Sequence, residues 1–299
     1  MMTFFANWAG ARLAGAALAT GLLFNAAQAE TIRIALAELQ ARPPADQAAR
    51  KKLLEEAVRA DRNDGDAHAA LVAYHAENGN LEAASVAAQA AVTAMPQSLD
   101  MLDLQARTLL QRGEAQQAMS SYAKMTSLAP RDPRGHLGTI DLNLRDNDLA
   151  DARRAVDRGL QAIPGSTDLL VRAFMLALRS NKPADALAIA RGLQTDRPGL
   201  ALGWTLEADL DASRQKWDAA ATGYRKALDK ASSDGVLLKY LHVLQAGGHA
   251  DEARSFAAAW LKKHPDDLLL RFYLGDLAQR GGDLKLARQH YEDLLKRNA

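Results

Sequence analysis

The chain has 299 residues, with 37 Lys and Arg against 36 Asp and Glu, 48% hydrophobic residues, 5% aromatic residues and no cysteine. A net charge of +1 leaves little field to attract a polyanion, so the composition disfavours nucleic acid as a partner. The missing cysteines exclude disulfides, cysteine-ligated zinc sites, thiol nucleophiles and lipid-modified cysteine. The low aromatic content and the nine prolines favour closely packed helices over sheets.

The first 29 residues have the pattern of a secretory signal peptide. Arg12 supplies a positive charge, residues 13–24 form an apolar run with Gly and Thr, and Ala27-Gln28-Ala29 forms a small-x-small cleavage site. The apolar run is shorter than the roughly 20 residues that span a bilayer, which favours a cleaved leader over a membrane anchor. We expect cleavage after Ala29 and export to the periplasm, a compartment that suits a cysteine-free chain.

A 34-residue period organises the remainder of the chain and predicts an array of helical hairpins. Its markers are three sets of residues in register. The prolines are Pro96, Pro130, Pro164 and Pro198. The alanines, twelve residues before each proline and continuing the series, are Ala84, Ala118, Ala152, Ala186, Ala220, Ala253 and Ala287. Residues that favour a turn between two helices precede each alanine by five positions: Gly79, Gly113, Asn147, Asn181, Gln215, Gly248 and Gly282.

This pattern resembles the tetratricopeptide repeat (TPR) family, in which a small residue lies where the two helices of a hairpin touch. The last repeat matches best, with Leu274-Gly275 in its first helix and Ala287 and Tyr291 in its second. The resemblance implies an all-α, right-handed superhelical solenoid of antiparallel helix pairs, stabilised by contacts between neighbouring repeats. It predicts a degenerate repeat at 30–64 and an array over 65–299, with units at 65–98, 99–132, 133–166, 167–200, 201–233, 234–267 and 268–299.

Four repeats have a large residue where the family usually has a small one in the first helix. We expect the helix pairs to splay or repack at these places, which are Val72, Ile140, Phe174 and Leu241.

Sequence motifs typical of catalytic or ligand-binding sites are incomplete or missing. Ser121 to Lys124 and Ser213 to Lys216 have Ser-x-x-Lys spacing, but the companion motifs of serine hydrolases with that spacing are missing. The seven histidines include no His-Glu-x-x-His pair, and no phosphate-binding glycine-rich motif occurs. The sequence therefore predicts a protein that is not an enzyme and has no catalytic residue, cofactor site or metal site.

The resemblance implies that partners bind in a concave groove lined by the first helix of each repeat, at about its second, fifth, ninth and twelfth places. The groove positions we select as candidates for partner binding, together with the neighbouring Arg145, are Asp103, Arg107, Arg134, Asp141, Arg145, Met175, Asp209, His242, Phe272 and Asp276.

Residues 167–299 also resemble the periplasmic TPR protein of exosortase (PEP-CTERM) exopolysaccharide systems. The most specific element is Trp260-Leu261 followed by His264-Pro265-Asp266-Asp267. The resemblance implies a non-catalytic periplasmic scaffold that binds cell-envelope proteins during exopolysaccharide secretion or assembly. The alternatives are a glycan-binding module that contacts a polysaccharide, and an accessory subunit of a polysaccharide-export or processing enzyme.

The last repeat has no capping helix after it in this sequence. Either the charges of its second helix suffice as a cap, or the uncovered surface mediates contact with a partner or self-association.

Overall fold

The computed structural model describes residues 47–297, which form fifteen helices and, within that range, no strand. The predicted signal peptide and residues 30–46 of the degenerate repeat lie outside the described residues. The helices are α1 (Gln47–Ala60), α2 (Gly65–Glu77), α3 (Leu81–Ala94), α4 (Leu99–Gln111), α5 (Ala115–Leu128), α6 (Pro133–Arg145), α7 (Leu149–Ala162), α8 (Thr167–Arg179), α9 (Pro183–Asp196), α10 (Ala201–Ser213), α11 (Trp217–Lys230), α12 (Asp234–Ala246), α13 (Ala250–Lys263), α14 (Leu268–Arg280) and α15 (Leu284–Arg297).

The helices divide into two compact units with a boundary inside α8. We call described residues 47–169 the N-terminal unit and 170–297 the C-terminal unit. The even-numbered helices from α2 to α14 are the first helices of the predicted repeats, and we call them the A helices. The odd-numbered helices from α3 to α15 are the second helices, and we call them the B helices.

Each A helix ends in the same turn, and the predicted turn residues are confirmed. All seven have a positive φ, between 53° and 86°. In every turn the next residue donates its backbone N–H to a carbonyl five residues earlier, as Asn80 does to His75 at 2.9 Å. This bond is typical of a helix that ends in a left-handed residue, where glycine and asparagine are least strained.

The N-terminal unit packs its pairs through small residues. Ala84, Ala118 and Ala152 are completely buried in their B helices. Val72 occupies a place where a small residue was expected, yet α2 and α3 pack as closely as the neighbouring pairs. Val72 lies against Ala84 and Ala88, so the opposite helix supplies the space that Val72 needs. The expected splaying therefore does not occur at this pair.

Side chains tie the A helices of the N-terminal unit to the loops before them. Asp64, Ser98 and Asp132 cap α2, α4 and α6 by accepting backbone N–H bonds from the first turn. Buried His68 and His136 each donate from Nε2 to a carbonyl six residues earlier, at 3.0 and 2.9 Å. These bonds satisfy loop carbonyls that would otherwise be buried without a partner.

The C-terminal unit uses larger side chains in its core. Ala186, Ala220, Ala253 and Ala287 are buried at the register positions. Around them lie half-buried or buried aromatic residues, and Tyr240 packs edge-on against Phe256 with ring centroids 4.9 Å apart.

The pair α12 and α13 holds a large residue at the place of closest approach. Its backbones approach each other less closely than those of α10 and α11. Leu241 is fully buried at this place. The wider separation of the two helices is the splaying that the sequence predicts for this pair.

Candidate functional site

The candidate site is the surface formed by the second, fifth, ninth and twelfth places of the A helices, which we call the A-helix face. In the N-terminal unit a cleft of about 330 Å³ lies between α2 and α4. Asp103 and Arg107, both selected from the sequence, line this cleft beside Asp66, Asp100 and Ala69. Gly65 and Ala69 give the α2 side of this cleft small side chains.

Ion pairs link the charges of this face. Arg134 Nη1 donates to Asp100 Oδ1 at 2.6 Å, from α6 to α4. The same guanidinium binds Asp132 through Nε and Nη2. Hydrogen bonds from Arg134 hold the pKa of Asp132 below its usual value, and the two carboxylates raise the pKa of Arg134. Arg134 is therefore already neutralised, and an anionic partner would have to compete with both aspartates.

The other charges of the N-terminal unit are closer to solvent. Arg107 is exposed and lies 3.5 Å from Asp103 in the same helix. Arg145 pairs with its neighbour Asp146 at 2.9 Å, at the end of α6. Asp141 is exposed, and its charge, with that of Asp103, contributes to the raised pKa of buried Tyr122, whose main cause is desolvation. These exposed pairs contribute little to stability and can exchange partners.

In the C-terminal unit the best-defined cluster surrounds Asp209. Its carboxylate accepts from the Tyr224 hydroxyl at 2.6 Å and from Lys239 Nζ at 2.8 Å. Burial is the main cause of the raised pKa of Tyr224, with the bond to Asp209 adding to it. Asp209 therefore joins α10, α11 and α12, and it is only partly available to a ligand. Lys239 was missed by the sequence analysis because it lies at the sixth place of its helix, outside the family's groove positions.

The remaining candidates present both apolar and charged groups. Met175, His242 and Phe272 are exposed. The Phe272 ring lies 6.1 Å from that of Tyr291, and Asp276 pairs with Arg280 at 2.8 Å.

Two further clefts lie away from the positions selected from the sequence. One of about 720 Å³ in the N-terminal unit lies between α5 and α7, over α6, and is lined mainly by polar side chains such as Gln116, Asn143 and Arg158. One of about 620 Å³ in the C-terminal unit lies beside Trp260 and His264. There the Trp260 indole donates to Asp267 at 3.0 Å and lies 4.5 Å from the His264 ring.

The residues with Ser-x-x-Lys spacing have structural contacts. Ser121 is buried and donates to Gln105 Oε1 at 2.9 Å, which links α5 to α4. Ser213 donates to the carbonyl of Leu210 at 2.7 Å. Among residues 47–297, no group of three or more His, Asp or Glu side chains is arranged to hold a metal ion. No helix in that range has the length and apolar character needed to cross a membrane.

The chain is similar to known proteins in structure but not in sequence. Neither protein-family models nor curated proteins give a match. Among solved structures it is similar to a tetratricopeptide repeat protein from Parabacteroides merdae, with 14% identity, a TM-score of 0.55, and coverage of 88% of this chain and 98% of that one. It is also similar to yeast Tom70, with 15% identity and a TM-score of 0.62, over 83% of this chain but only 54% of Tom70. The chain therefore has the TPR fold of consecutive helix pairs.

Proposed function

We propose that the protein is a non-catalytic scaffold that binds protein partners through its A-helix face. The observation that carries this proposal is the contrast between the two sides of the A helices. One side buries the alanine-rich core, while the other presents exposed charges such as Arg107 and Asp141 beside the cleft of about 330 Å³ between α2 and α4. A surface of mixed charge favours selective protein contacts, because a wrong partner brings like charges together.

The partner belongs to the cell envelope in this proposal, and the protein acts in the periplasm. The support is the signal-peptide pattern of residues 1–29 and the likeness of residues 167–299 to the periplasmic protein of exosortase systems. A place in exopolysaccharide secretion or assembly follows from that same likeness. Export is tested by isolating the protein from a periplasmic extract and measuring the mass of its first peptide, which we expect to begin at Glu30.

Partner binding is tested by photocrosslinking in cells of the source. A photoreactive residue replaces Asp141 on the A-helix face of α6, and a matched one replaces Arg153 on the exposed side of α7. We expect a defined envelope protein to crosslink from position 141 and not from 153. Recovery of the same proteins from both positions would contradict binding through the A-helix face. Adding Arg107→Glu to the chain with the photoreactive residue at position 141 should reduce the yield of the crosslinked product, because it replaces a cation on the same surface.

Glycan binding is the second candidate function, and the cleft beside Trp260 favours it. Aromatic rings, the Ser232 hydroxyl and the carboxylate of Asp234 line this cleft together, a combination suited to the apolar face and the hydroxyls of a sugar. Titration with a β-1,4-linked glucose hexasaccharide should change the tryptophan fluorescence of the wild-type chain and of Trp204→Phe, but not that of Trp260→Phe. An unchanged wild-type spectrum would reject this candidate for that sugar.

A further inference from the structure

Polar side chains bridge neighbouring helices at a recurring place of the repeat. Gln105 of α4 donates from Nε2 to Gln89 Oε1 of α3 at 2.6 Å, and its own Oε1 accepts from the Ser121 hydroxyl of α5 at 2.9 Å. These three side chains occupy the space over α4 between two B helices. In the C-terminal unit, Glu207 of α10 holds the place of Gln105 and accepts from Arg191 Nε of α9 at 3.1 Å.

One repeat after α4, the same three places hold short side chains, and a cleft lies where the bridge would be. The places are those of Ala123, Thr139 and Ala155, and all three residues line the cleft of about 720 Å³ between α5 and α7. The Thr139 hydroxyl donates to the carbonyl of Gly135 in its own helix at 2.9 Å and does not bridge to α5 or α7. The chain therefore leaves open at α6 a space that its own side chains occupy at α4.

Polar groups that lack a partner within residues 47–297 line this cleft. The carboxamides of Gln116 and Asn143 make no side-chain hydrogen bond in that range. His136 also lines the cleft, is 5% exposed, and donates from Nε2 to the carbonyl of Pro130. In the neutral ring Nδ1 is then an acceptor, and no donor in the described range reaches it. An acceptor on so deeply buried a side chain favours a ligand that brings an N–H group.

The charged side chains of the cleft leave one cation available to a ligand. The three lining aspartates already have partners: Asp146 binds Arg145, Asp151 binds Arg154, and Asp148 caps α7. Arg158 also lines the cleft, is exposed, and has no hydrogen-bond or ion-pair partner within residues 47–297. Its helix turn lies beside His136, since a β-carbon on the neighbouring Gly159 would lie 3.4 Å from the β-carbon of His136. An unpaired guanidinium favours a carboxylate, which it binds through two parallel hydrogen bonds.

We propose that the cleft between α5 and α7 binds an extended segment of a protein partner that carries a Glu or Asp side chain. The carboxylate binds Arg158, a backbone N–H of the segment donates to His136 Nδ1, and the carboxamides of Gln116 and Asn143 bind its peptide groups. From His136 to Asn143 the helix rises about 10 Å, the length of about three residues of an extended chain. No Trp, Tyr or Phe among the described residues lines the cleft, so a sugar would find no such ring to stack on.

This site is separate from the A-helix face. Helix α6 contributes its fourth, seventh and eleventh residues, His136, Thr139 and Asn143, to the cleft. Its second and ninth residues, Arg134 and Asp141, belong to the A-helix face. The two sets lie on opposite sides of a helix with 3.6 residues per turn. The cleft would therefore add a second binding surface to the proposed scaffold, and it does not depend on the first.

The bridge over α4 provides a way to close the cleft. The triple variant Ala123→Gln/Thr139→Gln/Ala155→Ser copies that bridge into the repeat of α6. Peptides from a random library displayed on phage are selected on the wild-type chain, and their affinity for both chains is measured. We expect the selected peptides to be enriched in Glu and Asp and to bind the triple variant at least about tenfold more weakly. No selected peptide, peptides without an acidic residue, or equal binding to the triple variant would overturn the proposal.

A single exposed charge provides a second test that leaves the fold in place. Arg158→Gln should weaken binding of the selected peptides about tenfold. Arg153→Gln removes the same charge from an exposed position of the same helix that does not line the cleft, and it should leave binding unchanged. Replacing the acidic residue of the peptide by its amide should weaken binding to the wild type but not further weaken binding to Arg158→Gln. Equal effects of Arg158→Gln and Arg153→Gln would overturn the proposal.

The two proposed binding surfaces can be told apart in the same variants. Photocrosslinking from position 141 should be unchanged in the triple variant and in Arg158→Gln, because neither alters the A-helix face. Loss of peptide binding with unchanged crosslinking supports the cleft as a site of its own. Loss of both in Arg158→Gln would mean that the cleft is not a separate site, and would overturn this inference without touching the proposed scaffold function.

Discussion

The two units of the chain share one repeat pattern but pack their helix pairs with different side chains. In the N-terminal unit, Val72 is accommodated by alanines of the opposite helix, and α2 and α3 remain close. In the C-terminal unit, α12 and α13 approach each other less closely, with Leu241 buried between them and Tyr240 packed against Phe256. The register alanine is buried in both places. The pattern of small residues therefore sets which positions face each other, while the neighbouring side chains set how close the helices come.

The two units also differ in how side chains cap their A helices. Asp64, Ser98 and Asp132 cap α2, α4 and α6 of the N-terminal unit. In the C-terminal unit Asp267 caps α14, whereas α10 and α12 follow Leu200 and Ser233, whose side chains make no capping bond. Ring contacts hold α10 and α12 in place instead: Lys226 Nζ lies 4.7 Å from the centre of the Trp204 ring, and Tyr240 packs against Phe256. The stability of α10 and α12 should thus depend less on a single capping bond.

The largest effect is expected from filling a register alanine. Ala118→Leu should lower the free energy of unfolding of the chain by about 1 to 3 kcal/mol, because the close α4–α5 pair has no space for a larger side chain. Ala253→Leu should lower it by a smaller amount, because α13 has fewer close backbone approaches to α12 and can shift outward to admit the added atoms. Thermal unfolding followed by circular dichroism measures both.

The control for this pair of variants is Lys124→Leu, at an exposed position of the same helix as Ala118. It should leave the midpoint of unfolding nearly unchanged. If Ala118→Leu and Ala253→Leu were equally destabilising, the difference in helix packing between the two units would not affect the free energy of unfolding.

Much of the fold could be predicted from the sequence because few residue types suit its special positions. A left-handed turn favours Gly or Asn, and Gly79 and Asn147 revealed it without any other information. The outcome at Val72 could not be predicted in this way. Its fit depends on the size of a second residue, Ala88 on the opposite helix; a repeat with a small residue at the place of Val72, such as Ala106, has a large one, Tyr122, at the place of Ala88.

The candidate site was harder to predict than the fold. Position within the repeat indicated Asp209, but not that Lys239 reaches it from a helix thirty residues further along the chain. Long side chains can choose among several partners, so periodicity does not specify their pairs. The same holds for Arg134, which binds both Asp100 and Asp132.

A smaller effect is expected from removing one cap. Asp132→Ala should lower the free energy of unfolding by about 1 kcal/mol, because it removes both the cap of α6 and the partner of Arg134. Ser233→Ala should change it by less than about 0.5 kcal/mol, since the Ser233 side chain makes no capping bond. Equal losses from the two variants would contradict the difference in capping between α6 and α12.

The contribution of Asp132 should also depend on pH. The folded pKa of Asp132 lies below its unfolded value, because Arg134 donates hydrogen bonds to the charged form. The stabilisation is therefore present above the unfolded pKa of about 3.9 and is lost as the pH falls through the lower folded pKa. Urea unfolding of the wild type and Asp132→Ala should differ by a constant amount from pH 7 to pH 5. The difference should shrink as the pH falls below about 4, and a difference that grew in acid would contradict this assignment.

The smallest effect, and the only expected gain, concerns the turn of the C-terminal unit that contains neither glycine nor asparagine. Gln215 has a φ of 58°, where its β-carbon is strained. Gln215→Gly should raise the free energy of unfolding by about 0.5 kcal/mol, because relief of that strain exceeds the added freedom of glycine in the unfolded chain. Asn147→Gly at the matching turn of the N-terminal unit should be close to neutral, since asparagine tolerates this conformation. Equal gains at both turns would mean that the N-terminal unit is no better adapted to the repeat than the C-terminal unit at this position.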